Sequence, residues 1–192
     1  MGSSTTGIFG LAVATHEPRL KAIVAFVSTG AYEHWLNTWQ PNGLWRGGTS
    51  GLWPETRALL PQADPIHSVS NLFPAAVLLV SGGADKVVDP ASAQGFVKAA
   101  EPYYATDPER LRFVRYEGRG HNLPRDVVSL YTEHWFRLYL HPTRPPPAPD
   151  EAVPSLAESA RRTAITKSTH EKVIGAGPAA PNVPTTGREP KP

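Results

Sequence analysis

The sequence predicts an α/β protein built on a parallel sheet, and three observations carry that prediction. Residues 20–27 (Leu-Lys-Ala-Ile-Val-Ala-Phe-Val) and 75–80 (Ala-Ala-Val-Leu-Leu-Val) are almost continuous apolar, β-branched runs, the pattern of strands covered on both faces. Segments with helical spacing of apolar residues alternate with these runs, which is the alternation of a doubly wound sheet. Each run also breaks into a short loop of small and chemically active residues, and in such sheets function gathers where strands run out into loops. About three parallel strands with flanking helices are expected.

In chain order, Met1-Gly2-Ser3-Ser4-Thr5-Thr6-Gly7 is a cluster of small polar residues ahead of an apolar segment. Residues 5 to about 16 read as a helix. Ile8, Phe9, Leu11, Ala12 and Val13 cover most of its circumference, so a buried helix is expected. His16-Glu17-Pro18 ends it, with His16 placed to meet the C-terminal carbonyls. The strand at 20–27 closes on Ser28-Thr29-Gly30. Residues 31–61 differ in texture: Tyr32, Trp35, Trp39, Trp45 and Trp53 stand among glycines with few aliphatics. Trp35 and Trp39, four apart, can share a helix face, and large stiff aromatics suit either a cap over a pocket or anchors to the core.

Asp64-Pro65 leads into a short helix or turn ending at Phe73-Pro74, followed by the second strand and Ser81-Gly82-Gly83-Ala84-Asp85. Asp89-Pro90 is a helix start, Asp as cap and Pro at the first helical position. Residues 111–116 form the third strand, ending in Glu117-Gly118-Arg119-Gly120-His121. A last helix runs from about 125 to 140, with Val127, Val128, Tyr131, Trp135 and Leu138 as its buried stripe. From 143 to 192, proline among Gly, Ala and Thr reads as a disordered tail, with a helical stretch allowed near 155–163 and Arg161-Arg162 able to touch an acidic partner.

The 192 residues suffice for one core-bearing domain and a tail, here 1–142 and 143–192, and 40% hydrophobic residues can fill that core. A formal charge of +2 gives no field for nucleic acid or an acidic membrane. Without cysteine there are no disulfides, no thiol catalysis and no Cys-ligated metal. No apolar run reaches membrane-spanning length and no secretory signal is visible, so a cytoplasmic location is expected. No cofactor or metal is implied.

Three chemically able side chains fall at the sheet's C-terminal edge in the order Ser4, Asp85, His121. Gly2-x-Ser4-x-Thr6-Gly7 is similar to a nucleophile elbow, G-x-S-x-G with Thr at the second Gly. Residues 78–90, Leu-Leu-Val-Ser-Gly-Gly-Ala-Asp-Lys-Val-Val-Asp-Pro, and residues 116–121, Tyr-Glu-Gly-Arg-Gly-His, resemble the acid loop and histidine loop of the α/β-hydrolase superfamily. The nearest likeness is to its dienelactone-hydrolase and prolyl-oligopeptidase-like branches, over residues 2–140 and the family's C-terminal portion only. The resemblance implies a serine hydrolase acting on a small-molecule acyl substrate. Ser4 is then the nucleophile, His121 the base, Asp85 its partner and the Thr5 amide an oxyanion donor. Tyr32, Trp35 and Trp39 are candidate pocket walls. Ser3 and Thr5 are rival nucleophiles, and Asp89 is a rival acid. The same resemblance implies a strand before Gly2 and further strands upstream. A chain lacking them is expected to leave a sheet edge uncovered, to pair with a second copy or with the missing N-terminal half, and to have little activity alone. A hydrolase-like module that binds without catalysing, or a truncated remnant without function, is the alternative.

Overall fold

A computed structural model describes residues 1–38 and 48–140. Four parallel strands lie side by side in sequence order: β1 (Gly2–Ser3), β2 (Ala22–Phe26), β3 (Ala76–Gly82) and β4 (Leu111–Tyr116). The register pairs Gly2 with Ala25, Ala25 with Leu79, and Leu79 with Phe113. Helices α1 (Thr5–Ala14), α2 (Tyr32–Thr38), α3 (Pro54–Ala63), α4 (Pro90–Ala100) and α5 (Arg125–Leu140) complete the described residues, with short 3-10 turns between them. Beside the three strands expected from sequence, the fourth, β1, is the short segment Gly2–Ser3 directly ahead of Ser4. Two residues are too few to show any periodicity, and their place follows only from pairing with β2.

The alternation of side chains along each strand separates two cores. Ile23, Ala25, Val77, Leu79 and Leu111 face one side, where Leu11 of α1 and Phe96 of α4 cover them. Val24, Phe26, Leu78 and Val80 face the other, under Val127, Tyr131 and Trp135 of α5. Sequential parallel strands joined by right-handed crossovers carry their connections on one face. Residues of α1, α4 and the turn Pro65–Asn71 pack on that face, and those of α5 pack on the other. The last helix follows its sequence pattern closely: Val127, Tyr131, Trp135 and Leu138 are its buried residues. Trp135 donates its indole N–H to the carbonyl of Ala76 at 3.2 Å, so the polar end of a buried ring is satisfied.

The first helix departs from expectation. Phe9 is 63% exposed and Val13 54%, while Gly7, Ile8, Leu11 and Ala14 face the sheet. A helix apolar all round gives no signal of which side is covered, and only one side of α1 meets the sheet. Beside it, β1 pairs with Ala25 and Phe26 but leaves Ala22 to Val24 without a strand on that flank. A groove of about 220 Å³ runs there, lined by Met1, Gly2, Gly10, Val13, Leu20 and Ile23 among others. Of the Trp-rich stretch, Trp35 is half-buried and Trp53 is 78% exposed, so Trp53 does not anchor it. Trp39, Trp45 and the whole proposed tail lie outside the described residues. No helix among the described residues is long and apolar enough to cross a membrane.

Burial raises the hydroxyl pKa of Tyr32 and Tyr139 to about 12, and that of Tyr104 still higher. An unfolded chain ionises its tyrosines near 10 (about the model-peptide value). Above that pH the unfolded state binds fewer protons than the folded state, so stability falls as pH rises towards the folded values. Melting temperature is therefore expected to decline from pH 10 upward, and Tyr→Phe at 32, 104 and 139 together should flatten the decline. A triple variant with the same alkaline slope as the parent would refute this account.

Candidate active site

The site begins with a backbone turn. Ser4 follows β1 and precedes α1 with φ 52° and ψ −125°, a combination that a side chain strongly disfavours. Holding it costs about 1–3 kcal/mol, so the surroundings must over-determine it. They do so with four hydrogen bonds. The Ser4 N–H donates to the Phe26 carbonyl at 2.9 Å, and the Ser4 carbonyl accepts from Gly7 N–H, Ile8 N–H and the Ser28 hydroxyl, each at 2.9 Å. The single Ser28 hydroxyl proton is shared between the Ser4 carbonyl and the Phe26 carbonyl, the latter at 2.6 Å, which ties the turn to the end of β2. Its neighbour Val27 has φ 44°, another rare value for a β-branched residue.

Close packing explains the small residues. A Cβ on Gly2 would lie 2.6 Å from the backbone of Thr6 and Gly7, and one on Gly7 would lie 2.1 Å from the Ser28 hydroxyl. Thr6, which stands where the motif usually has glycine, points outward. Its hydroxyl accepts from Ser3 N–H at 2.9 Å and donates to the Ser3 carbonyl at 2.8 Å.

Asp85 lies in the loop after β3, with its side chain fully buried. One carboxylate oxygen accepts from the N–H groups of Val87 at 2.8 Å and Val88 at 3.1 Å. The other is 2.9 Å from Nδ1 of His121, whose Nε2 is 2.9 Å from the Ser4 hydroxyl oxygen. A carboxylate only accepts, so Nδ1 carries the proton and Nε2 is left to accept from the serine. The histidine loop is held against the acid loop by backbone bonds, Ala84 N–H to Arg119 O at 2.8 Å and Gly83 N–H to Tyr116 O at 2.9 Å. A side chain on Gly82 would sit 2.1 Å from the Gly120 carbonyl, so this contact requires glycine.

All three residues singled out at the sheet edge thus meet in one hydrogen-bonded line. Asp89 does not join it: its carboxylate caps α4 by accepting from Ala91 N–H at 2.9 Å. Thr5 is the first residue of α1, where an amide has no acceptor within its own helix. His16 meets the Ala12 carbonyl near the end of α1, as its position suggests. Tyr32 and Trp35 make specific bonds, the Tyr32 hydroxyl to the Ile8 carbonyl at 2.9 Å and the Trp35 indole to the Val87 carbonyl at 2.8 Å. A cleft of about 390 Å³ next to α2 is lined by others, including Glu33, His34, Asn37, Asp64 and His67. Sequence reasoning missed Ser28, read only as a turn residue. It also missed Asp64, buried and accepting from the N–H groups of Tyr32 and Glu33 at 2.9 Å. Asp-Pro alone announces a local cap, not a bond to a segment thirty residues earlier. Among the described residues, no group of three or more His, Asp or Glu is placed to hold a metal ion.

Parallel strands, a serine on a strained strand-to-helix turn, and acid and histidine loops at neighbouring strand ends define the class that the chain resembles, the α/β-hydrolase superfamily. No family model matches the chain. Among curated proteins it is 39% identical over 64 residues to "Putative esterase YitV" of Bacillus subtilis, a match covering 33% of this chain and 25% of that protein. A crystal structure of puromycin hydrolase aligns with 64% of this chain and 18% of its own, at a TM-score of 0.51 and 14% identity, which shows a shared fold. TT1662 from Thermus thermophilus aligns with 63% of this chain and 45% of its own, at 22% identity and a TM-score of 0.49. The chain therefore matches well under two thirds of the length of these proteins.

The backbone at Ser4 makes its own prediction. Ser4→Gly relieves the disfavoured φ, whereas Ser4→Ala keeps it, and both lose the bond to His121. The glycine variant is expected to be more stable than the alanine variant by about 1 kcal/mol in urea denaturation. Equal stabilities would remove the strain from the account.

Proposed function

We propose that this chain carries the catalytic residues of a serine hydrolase that cleaves an acyl bond, with carboxylic esters the first substrate class and thioesters or amides next. The observation that carries the reading is the line from Asp85 through His121 to Ser4, with two links of 2.9 Å. The esterase name of the Bacillus relative supports placing esters first.

In this reading the Ser4 oxygen attacks the substrate carbonyl carbon as its proton passes to Nε2 of His121. The carbonyl π-bond opens onto oxygen, and the Thr5 N–H at the start of α1 donates to the anion formed. A donor so placed typically contributes about 3 kcal/mol to the transition state. Collapse expels the alcohol, which takes the proton from His121 and leaves Ser4 acylated. Water then attacks the ester, giving its proton to His121, and the acid departs as Ser4 is restored. Asp85 holds the imidazole in its tautomer and stabilises the imidazolium, and the two amide donors on its other oxygen keep the carboxylate from turning away.

A fluorophosphonate probe reacts only with an activated serine and separates a hydrolase from a module that merely binds. The 192-residue chain is expected to be labelled at Ser4 and to hydrolyse short nitrophenyl esters, more slowly than a form that carries the upstream strands. Ser4→Ala should abolish both, and Asp85→Asn should slow hydrolysis by about ten-thousand-fold. Hydrolysis that survives Ser4→Ala would assign the activity elsewhere. A folded parent that resists the probe would favour the binding module.

A further inference from the structure

Helix α2 touches both arms of the site. At its first residue, the Tyr32 hydroxyl donates to the Ile8 carbonyl at 2.9 Å, and the Ile8 N–H donates to the Ser4 carbonyl at 2.9 Å. One turn on, the Trp35 indole donates to the Val87 carbonyl at 2.8 Å. That carbonyl belongs to the same peptide unit as the Val88 N–H, which donates to Asp85 at 3.1 Å. The C=O and N–H of a trans peptide point in opposite directions from one rigid plane, so fixing the oxygen aims the hydrogen. Residues three apart on a helix lie on one face, and Tyr32 and Trp35 are so spaced. The helix is itself pinned: Asp64, only 2% exposed, accepts from Tyr32 N–H with one oxygen and from Glu33 N–H with the other, each at 2.9 Å. His34 adds a longer contact, 3.9 Å to the carboxylate of Asp89 at the far end of the acid loop.

We infer that α2 is a brace between the two arms of the site, with Trp35 and Tyr32 as positioning residues that set where Asp85 and Ser4 stand relative to His121. The inference rests on the proposed hydrolase reading for its catalytic meaning, and on the hydrogen bonds alone for its structural content. A seven-residue helix in a connection between strands has little of its own to hold it together, and α2 has no buried residue. Polar ties hold it at its start, at Trp35 and near its end, where Asn37 accepts from the Thr49 N–H and hydroxyl at 3.0 Å, and the ties at Tyr32 and Trp35 are the ones that reach the nucleophile turn and the acid loop. Tyr32 remains a donor well into the alkaline range, since burial and the nearby Asp64 push its pKa to about 12. The charged residues nearest in sequence to the loops concerned, Lys86, Asp89 and Arg119, are untouched in the variants below.

The test uses the full 192-residue chain and two readouts. The low-field proton resonance of the His121 Nδ1–H reports its bond to Asp85 without requiring turnover, and Asp85→Asn serves as its reference for loss. The rate of fluorophosphonate labelling reports the activated serine. Trp35→Phe keeps a ring and deletes the N–H; it is expected to move the resonance upfield and to slow labelling about tenfold, the size of one net hydrogen bond. Tyr32→Phe, on the serine arm, should slow labelling while leaving the resonance in place. Benzothienylalanine at position 35 removes only the N–H from a ring of the same shape and gives the same answer should Trp35→Phe fail to fold. A Trp35→Phe protein with the parent's resonance and labelling rate would overturn the brace while leaving the hydrolase reading intact. A shifted resonance in a chain whose Ser4 never reacts would uphold the brace and overturn the hydrolase reading. A folded parent without the resonance would overturn both.

Discussion

The turn at Ser4 is the constraint on which the rest of the site depends. A serine at φ 52° persists only because its amide, its carbonyl and the hydroxyl of Ser28 are all engaged at the end of β2. The turn is therefore a property of two adjacent strands as well as of the short stretch that contains it. Remove the pairing of β1 with β2 and only the Gly7 and Ile8 amides on the Ser4 carbonyl would be left to hold the turn. The parallel sheet supplies the remaining geometry. Its strands end along one rim, so residues more than a hundred positions apart in sequence arrive side by side there.

Polar economy binds that rim. Asp85 is buried, and a buried carboxylate is tolerated only when its lone pairs are used. Two backbone amides and the imidazole use them. The two loops that carry Asp85 and His121 are joined by backbone bonds beside Gly82, where the opposite main chain leaves no room for a side chain. The groups that hold Asp85 and join its loop to that of His121 are thus mostly main chain, stiffer than a set of long side chains would be.

The sequence discloses the strands and the final helix well, because both are long enough for period to speak. Leu78, Leu79 and Val80 read as a doubly covered strand and are one, and the stripe through Tyr131 and Trp135 fixes α5 to within a residue. Chain order also brings out Ser4, Asp85 and His121, since each follows a strand. Three things stayed hidden for physical reasons. β1 is two residues long, below the length of any pattern. Phe9 and Val13 lie on the open side of α1, and hydrophobicity alone cannot reveal that a surface has no neighbour. Asp64 and Ser28 act across the fold, and a hydrogen bond to a distant backbone leaves no trace in local composition. The Trp-rich stretch shows the same limit. Its aromatic content suggests pocket walls and gives no sign that the polar atoms of Tyr32 and Trp35 bond to the main-chain carbonyls of Ile8 and Val87.

Thr6 carries one more lesson. Since its side chain leans away from the strand and engages only the residue three places back, the steric demand of this turn rests on residues 2 and 7. A search pattern that insists on glycine at the sixth place would pass over this chain for want of a feature its backbone does not need. Bulk at that place should be judged by whether it disturbs Ser3, not by whether it breaks a consensus.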